Sequence, residues 1–227
     1  MLGHYHNNGA PVTHIHIPKT AGSSIWKWFE ASYDWYDCTP KQGHYTYDDA
    51  QRVLREEEGI DDMGWCFCST RNPFDRVVSG YAYLRWRHRH KTMNTVPVRT
   101  QRENLPLLFT TFDTYVENIE RFMDPVYEVN MPQVDFATKC DYVMRMENLS
   151  EDFRIVQERL NNDRPLGITN WMAREDNWKN YYTAKTRDKI EQMFKEDFKS
   201  LDYSWDDPIM ELGRDQWMKE LVDQKIK

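Results

Sequence analysis

The chain has 227 residues, of which 40% are hydrophobic and 14% aromatic, and its formal net charge at pH 7 is −7. This length and apolar content can bury the core of one domain, which excludes disorder of the whole chain, and the acidic charge argues against a general nucleic-acid-binding protein. The sequence shows neither the roughly 18 to 20 apolar residues that span a bilayer nor a signal peptide, so we expect a soluble, cytoplasmic protein.

The first predicted unit is a strand, a loop and a helix. Residues 12–17, VTHIHI, alternate as a short strand, and an apolar-periodic segment at 23–33 predicts the helix. The loop between them contains Lys19 and the small residues 21–24. Small side chains let backbone N–H groups approach an oxyanion, while the helix N-terminus and Lys19 add positive charge. This junction is therefore a candidate anion site, and further hydroxyl donors are available from Thr20, Ser23 and Ser24.

Two other interpretations of this loop stay open. In the simplest one it is a turn with good N-cap residues. A loop that binds a nucleoside triphosphate with magnesium needs the pattern GxxxxGK[ST], in which a lysine follows the second glycine. Here Lys19 precedes Gly22 and the sequence has no GK[ST], which weakens the magnesium-dependent interpretation.

A second unit of the same kind follows. Residues 64–70, GWCFCST, predict a buried strand, residues 71–73 a turn, and residues 74–86 a helix. Arg71 ends the strand, and Ser79 lies eight residues further on, two turns into the helix. A guanidinium can hold a phosphate through two parallel hydrogen bonds, and a serine hydroxyl can donate a third. Two such units in succession favour an α/β fold with a parallel sheet.

Three side chains of this second unit are expected to be structural. Arg76 is expected to form a salt bridge inside the fold. Cys66 and Cys68 alternate along the strand and are expected to be small buried residues on one face. The chain has only four cysteines and no CxxC pair, so we expect neither a disulfide framework nor a zinc site.

The rest of the chain is predicted to be mostly helical. The expected elements are helical segments at 112–122, near 150–161 and at 184–199, and a short strand at 141–146. Ser150 and Thr183 are the expected N-caps of two of these helices. Residues 206–227 predict a charged helical extension at the C-terminus. Because no repeat or linker divides the sequence, we expect a single domain over 1–227.

Both candidate anion loops resemble donor-binding segments of sulfotransferases that use 3′-phosphoadenosine 5′-phosphosulfate (PAPS). HIPKTAGSS at 16–24 is similar to the 5′-phosphosulfate loop of carbohydrate sulfotransferases related to the heparan and chondroitin enzymes. The resemblance implies that Lys19 contacts the 5′-phosphate and the bridging oxygen, while the phosphosulfate is cradled by Thr20, Ala21, Gly22, Ser23 and Ser24. CSTRNPFDRVVSGY at 68–81 resembles the family's RxPxxRxxSxY segment, which implies that Arg71 and Ser79 bind the 3′-phosphate.

Transfer of a sulfuryl group needs a base for the acceptor hydroxyl and a cation for the leaving oxygen. GHYTYDDA at 43–50 resembles the family's GHxxY segment, which implies that His44 is the base and Lys19 the cation, with no metal required. A loop histidine at the surface is the alternative for His44. His14 and His16 are expected to be packing or hydrogen-bonding residues. The basic run LRWRHRHK at 84–91 predicts either a solvated helix face or an acceptor-binding rim, with Trp86 available for stacking.

The resemblance continues through MPQVDFATKCDYVMRMENLSEDF at 131–153 and the segment 170–203, and so spans about residues 12–205. Within it Glu147 is expected to be structural, paired with Arg145 or a backbone group. Candidates to close over the nucleotide are Asn170, Arg174, Lys179 and Lys185.

The family implies a three-layer α/β fold similar to nucleotide kinases, with a central parallel sheet flanked by helices. It implies PAPS as donor, PAP as product and a hydroxyl-bearing acceptor, which we expect to be a carbohydrate. Two alternatives stay open. One is a kinase of the same architecture that uses ATP with Mg²⁺, and the other is a non-catalytic module that binds PAP or PAPS.

Overall fold

The computed structural model describes residues 2–7, 10–32, 36–37, 44–89, 111–122, 131–167, 169 and 174–209. Its strands are β1 (Leu2–Asn7), β2 (Ala10–Ile15), β3 (Tyr36–Asp37), β4 (Trp65–Thr70) and β5 (Tyr142–Arg145). Its α-helices are α1 (Gly22–Ser32), α2 (Tyr47–Glu58), α3 (Pro73–Arg89), α4 (Phe112–Glu117), α5 (Val134–Ala137), α6 (Leu149–Leu160), α7 (Ala184–Met193) and α8 (Lys195–Ser200). Short 3₁₀ helices lie at Ile119–Phe122, Met146–Asn148 and Trp178–Tyr181.

The strands form one mixed sheet in the order β3-β1-β2-β4-β5. β2, β4 and β5 are parallel, as predicted, with Val12 opposite Trp65 and Phe67 opposite Tyr142. The prediction of a parallel sheet is wrong for strands β1 and β3, because β1 pairs with both β2 and β3 in the antiparallel sense. The sequence signal for the β1–β2 hairpin is Asn-Gly at positions 8 and 9, a pair typical of two-residue hairpin connections.

Helices cover both faces of the sheet, so the prediction of an α/β fold whose central sheet is flanked by helices is confirmed. On one face, α1 and α6 pack on apolar side chains that include Phe67 and Met144. On the other face, side chains of α2 and α5 pack with Cys66 and Cys68. The alternation along β4 follows from the two-residue period of a strand. The likeness to nucleotide kinases stays a prediction.

Several element boundaries differ from the predicted ones. The helix expected to be capped by Ser150 begins at Leu149, with Asn148 as its N-cap residue, so Ser150 lies inside its first turn. Thr183 caps α7 as predicted, because its Oγ1 accepts the N–H of Thr186 while its own N–H donates to Thr186 Oγ1. The predicted helix at 184–199 is interrupted at Phe194, between α7 and α8. Residues 210–227, most of the predicted extension, lie outside the described residues.

The carboxyl ends of the parallel strands meet at one edge of the sheet. The chain leaves β2 into residues 16–21, leaves β4 into Arg71 and Asn72, and leaves β5 into the 3₁₀ helix at Met146–Asn148. Open α/β sheets bind ligands at this edge. Both predicted anion loops therefore lie at the same edge, on the neighbouring strands β2 and β4.

Candidate active site

The loop after β2 has a curled backbone. Lys19 and Ala21 have φ angles of 69° and 72°, in the left-handed region that residues with a side chain seldom adopt. The carbonyl of Ala21 accepts the backbone N–H groups of Ser24 at 2.8 Å and Ile25 at 3.2 Å, which starts α1. Non-glycine residues held in this region recur at ligand-binding turns. Ser23, half-buried, lies in the first turn of α1.

The hydroxyls of this loop differ in their partners. Thr20 is fully buried, and its Oγ1 donates to the carbonyl of Ile17 at 2.9 Å and lies 3.1 Å from Ser69 Oγ. Its one proton is thus used inside the fold, so Thr20 can offer an anion its backbone N–H group rather than its hydroxyl. Ser24 Oγ accepts the N–H of Thr169 at 3.0 Å, which attaches residue 169 to the start of α1.

Arg71, directly after β4, is buried and held from several sides. Its Nε and Nη2 donate to Asp75 Oδ2 at 2.7 and 2.6 Å, and its Nη1 donates to the carbonyl of Lys19 at 3.3 Å. The side chain of Gln133 binds both the N–H and the C=O of Arg71, at 2.9 and 2.8 Å. A guanidinium has five N–H groups. The contacts above use three of them, and one N–H of Nη1 and one of Nη2 are the candidate donors to an anion.

Lys19, Arg71 and Arg174 form a basic cluster at this edge, and the two arginines share one carboxylate, that of Asp75. Arg174 forms an ion pair with the second oxygen of Asp75 at 2.6 Å, and both side chains are buried. Burial, and then the positive charges of Arg71 and Arg174, lower the pKa of Lys19 to about 7. The part of this shift that comes from Arg71 and Arg174 reflects a positive potential at Lys19. A multiply charged anion would be favoured there because it offsets that potential.

Helix α3 lines the same site. Ser79 is 8% exposed and lies on the second turn of α3, and Tyr83 is four residues further along. Residues four apart share one face of a helix. Lys19 Nζ lies 4.0 Å from the centroid of the Tyr83 ring. The loop after β2 and the helix after β4 are thus in direct contact.

His44 contacts a second histidine, His16, which lies at the start of the first anion loop. The rings of His44 and His16 meet edge to face, with centroids 4.8 Å apart. His16 in turn lies against α1, since a Cβ added at Gly22 would be 1.9 Å from His16 Cδ2. Burial, and then the neighbouring His44, lower the pKa of His16 well below its usual value, so His16 is neutral. Thr46, the N-cap of α2, follows His44 by two residues and anchors this stretch.

Comparison with family models finds one match, to the sulfotransferase family, over residues 9–204. The chain belongs to the sulfotransferase family. The match covers most of the chain and confirms the predicted membership, and its extent agrees with the predicted 12–205. No curated protein and no solved structure matches the chain. The domain is one for sulfuryl transfer, so the protein is a transferase.

Of two predicted structural residues of this sulfotransferase, Arg76 has other partners than expected and Glu147 has one of its two expected partners. The prediction of a salt bridge for Arg76 is wrong in its partner, because buried Arg76 donates from Nε to the carbonyl of Pro18 at 3.0 Å and from Nη1 to that of Met131 at 2.7 Å. Burial lowers its pKa to about 10. Glu147 accepts the N–H of Asn72 at 2.7 Å, so its partner is a backbone group, one of the two alternatives.

His14 and His16 are packing residues, as predicted. His14 stacks on Phe67, with ring centroids 5.0 Å apart, and burial lowers its pKa to about 3. The sequence interpretation missed that His16 contacts His44. The basic run at 84–91 is described only in part, since its side chains from residue 87 onward lie outside the described residues. Trp86 is 41% exposed.

Of the four candidates for closing over the nucleotide, Arg174 joins the basic cluster. Lys179 lies over the ring of Trp178, and Lys185 pairs with Glu117. Asn170 lies outside the described residues. Asp75, which joins both arginines, was missed, although its position four residues after Arg71 in a predicted helix is a recognisable signal.

Among the described residues, no group of three or more His, Cys, Asp or Glu side chains is arranged to hold a metal ion. None of the helices in that part of the chain is long and apolar enough to cross a bilayer.

Proposed function

We propose that this sulfotransferase moves the sulfuryl group of PAPS to a hydroxyl of an acceptor, and that the acceptor is a carbohydrate. The observation that carries the proposal is the approach of the two predicted anion loops, where Arg71 Nη1 reaches the carbonyl of Lys19 at 3.3 Å. One donor with phosphate groups at both ends can reach both loops. The carbohydrate class rests on the resemblance of the two loops to carbohydrate sulfotransferases.

The donor is held at two points. The outer edge of the Arg71 guanidinium and the Ser79 hydroxyl bind the 3′-phosphate, which distinguishes PAPS from ordinary nucleotides. Asp75 supports this contact because it fixes the other edge of Arg71. The 5′-phosphosulfate lies in the curled loop, where backbone N–H groups from Thr20 to Ser24 and the N-terminus of α1 supply partial positive charge.

The transfer is an in-line displacement at sulfur. The acceptor oxygen forms a bond to sulfur while its proton passes to His44. The bond between sulfur and the bridging oxygen breaks, and its electron pair stays on the 5′-phosphate of PAP. Lys19 stabilises that oxygen as a cation, because the arriving anion raises the pKa of Lys19 above its value in the free protein.

Transfer of label from sulfate-labelled PAPS to a panel of sugars, phenols and lipids tests this proposal. We expect a sugar acceptor in the absence of metal. His44→Ala should bind PAP normally and lose about 10²- to 10⁴-fold in rate, since that is the usual contribution of a general base. Lys139→Ala, at an exposed lysine paired with Asp48, is the matched control for Lys19→Ala and should keep full activity.

Three results would contradict the proposal. If ATP with Mg²⁺, and not PAP, raised the melting temperature, the chain would be a kinase of the same architecture. If PAP bound but wild type transferred no label to the panel, the chain would be a binding module. Undiminished transfer by His44→Ala would remove His44 from the mechanism.

A further inference from the structure

We propose that Tyr83 is a positioning residue for Lys19, whose ammonium group it holds over the face of its ring beside the phosphosulfate loop. The inference rests on the proposed function, which assigns Lys19 to the leaving oxygen. Its physical basis is the 4.0 Å between Lys19 Nζ and the ring centroid. A lysine within about 6 Å of a ring centroid, over the face, is attracted by the negative charge there.

The charges around Lys19 explain why such a partner is needed. Burial and the cations Arg71 and Arg174 favour the neutral amine at Lys19, and His16 also interacts with it electrostatically. The carboxylate of the cluster, Asp75, is engaged by both arginines at 2.6 Å. The π face of Tyr83 acts in the opposite direction and favours the charged form, while it also fixes where that charge lies.

A ring suits this task better than a carboxylate would. A carboxylate at the position of Tyr83 would pair strongly with Lys19 and would repel the incoming phosphosulfate. The attraction of an ammonium group to a ring is weaker and the ring carries no net charge, so Lys19 can contact the ring and the anion together. Tyr83 also lies on the face of α3 that carries Ser79, so one helix supports the contacts at both ends of the donor.

The test compares Tyr83→Leu, which removes the ring, with Tyr83→Phe, which keeps it. The first readout is the rate at which Lys19 is acetylated by acetic anhydride as a function of pH, followed by mass spectrometry without ligand. Only the neutral amine reacts, so the midpoint of this profile reports protonation of Lys19. We expect Tyr83→Leu to move the midpoint down by about half a unit to one unit and Tyr83→Phe to leave it in place.

The second readout is the split between turnover and donor affinity. Tyr83→Leu should lower kcat between about threefold and thirtyfold, because the cation is less populated and less fixed, and Tyr83→Phe should stay within about twofold. Lys139 in the same samples is the internal control, and its acetylation profile should not change in either variant. Tyr83→Met is a second ringless variant in case Tyr83→Leu does not fold.

The outcomes separate this inference from the proposed function. If PAP protects Lys19 of wild type from acetylation but the ringless variants keep the wild-type midpoint, the role of Tyr83 is wrong and the proposed function stands. If the acetylation midpoint and kcat of Tyr83→Phe fall as far as those of Tyr83→Leu, the hydroxyl and not the ring is required. That result also overturns the inference. If PAP gives Lys19 no protection, the proposed function itself fails.

Discussion

The pKa of Lys19 is lowered to about 7 by desolvation of its half-buried side chain and by the neighbouring charges of Arg71 and Arg174. In the free protein Lys19 is therefore partly neutral at pH 7. A bound dianion favours the cation and raises this pKa, so above pH 7 binding must be accompanied by the uptake of a proton. This coupling ties donor affinity to pH through a single side chain.

The affinity for PAP should consequently fall as pH rises from 7 to 9, by up to about tenfold per pH unit until the pKa of the bound state is reached. Phosphate groups, whose second pKa is about 6, are already about nine-tenths ionised at pH 7 and change little above it. Calorimetric titration in buffers of different ionisation enthalpy measures both the affinity and the proton uptake. Lys19→Arg, which cannot lose its charge in this range, should give a flat profile. A flat profile for wild type would show that Lys19 does not meet the ligand.

At the scale of elements, the loop after β2 is supported by close packing of His16 on the first residue of α1. Gly22 has no Cβ, and the His16 ring occupies the space in which one would lie. The same ring contacts His44, so this packing joins the end of β2, the start of α1 and the stretch before α2. The glycine in the anion loop is thus required by a neighbouring ring as well as by the close approach of a ligand.

Gly22→Ala should destabilise the fold by about 1 to 3 kcal/mol, the usual range for overpacking, because the new methyl collides with His16. In a His16→Ala background the same substitution should cost much less, since the collision is gone. The free energy of unfolding in urea, measured for wild type, the two single variants and the double variant, gives the coupling. Equal costs of Gly22→Ala in both backgrounds would show that the two residues do not touch.

At the scale of the whole molecule, the sequence predicted the strands and helix starts that depend on a local residue pattern. The alternation in 12–17 and 64–70 identified the parallel strands, and Thr183 identified the start of a helix. The antiparallel edge was missed because β1, LGHYHN, has few apolar residues and its one signal is an Asn-Gly pair. The composition of the site depends on contacts between segments that are distant in the chain. His16 contacts His44, 28 residues away, and Asp75 contacts Arg174, 99 residues away.

The hydrogen-bond partners of buried side chains could not be predicted from the sequence either. A buried arginine needs hydrogen-bond acceptors, but the pattern does not reveal whether these are carboxylates or carbonyls. Arg76 was expected to find a carboxylate and instead donates to the carbonyls of Pro18 and Met131. Thr20 was expected to offer its hydroxyl to the donor and instead uses it on Ile17. The carbonyls of Ile17 and Pro18 lie in the same loop, which thus supplies a hydrogen-bond acceptor to each of these two side chains.

The central claim is that Lys19 and Arg71 bind opposite ends of one bisphosphorylated adenosine, and calorimetric comparison of PAP with adenosine 5′-monophosphate tests it most directly. Wild type should prefer PAP by about ten- to a hundredfold, the value of a charged hydrogen-bonded contact to the 3′-phosphate. Arg71→Ala should lose that preference. Lys19→Ala should weaken the binding of PAP and of adenosine 5′-monophosphate by similar factors. Arg154→Ala, at an exposed arginine, is the control and should behave as wild type. A wild-type protein that binds both nucleotides equally, or an Arg71→Ala variant that still prefers PAP, would contradict the account.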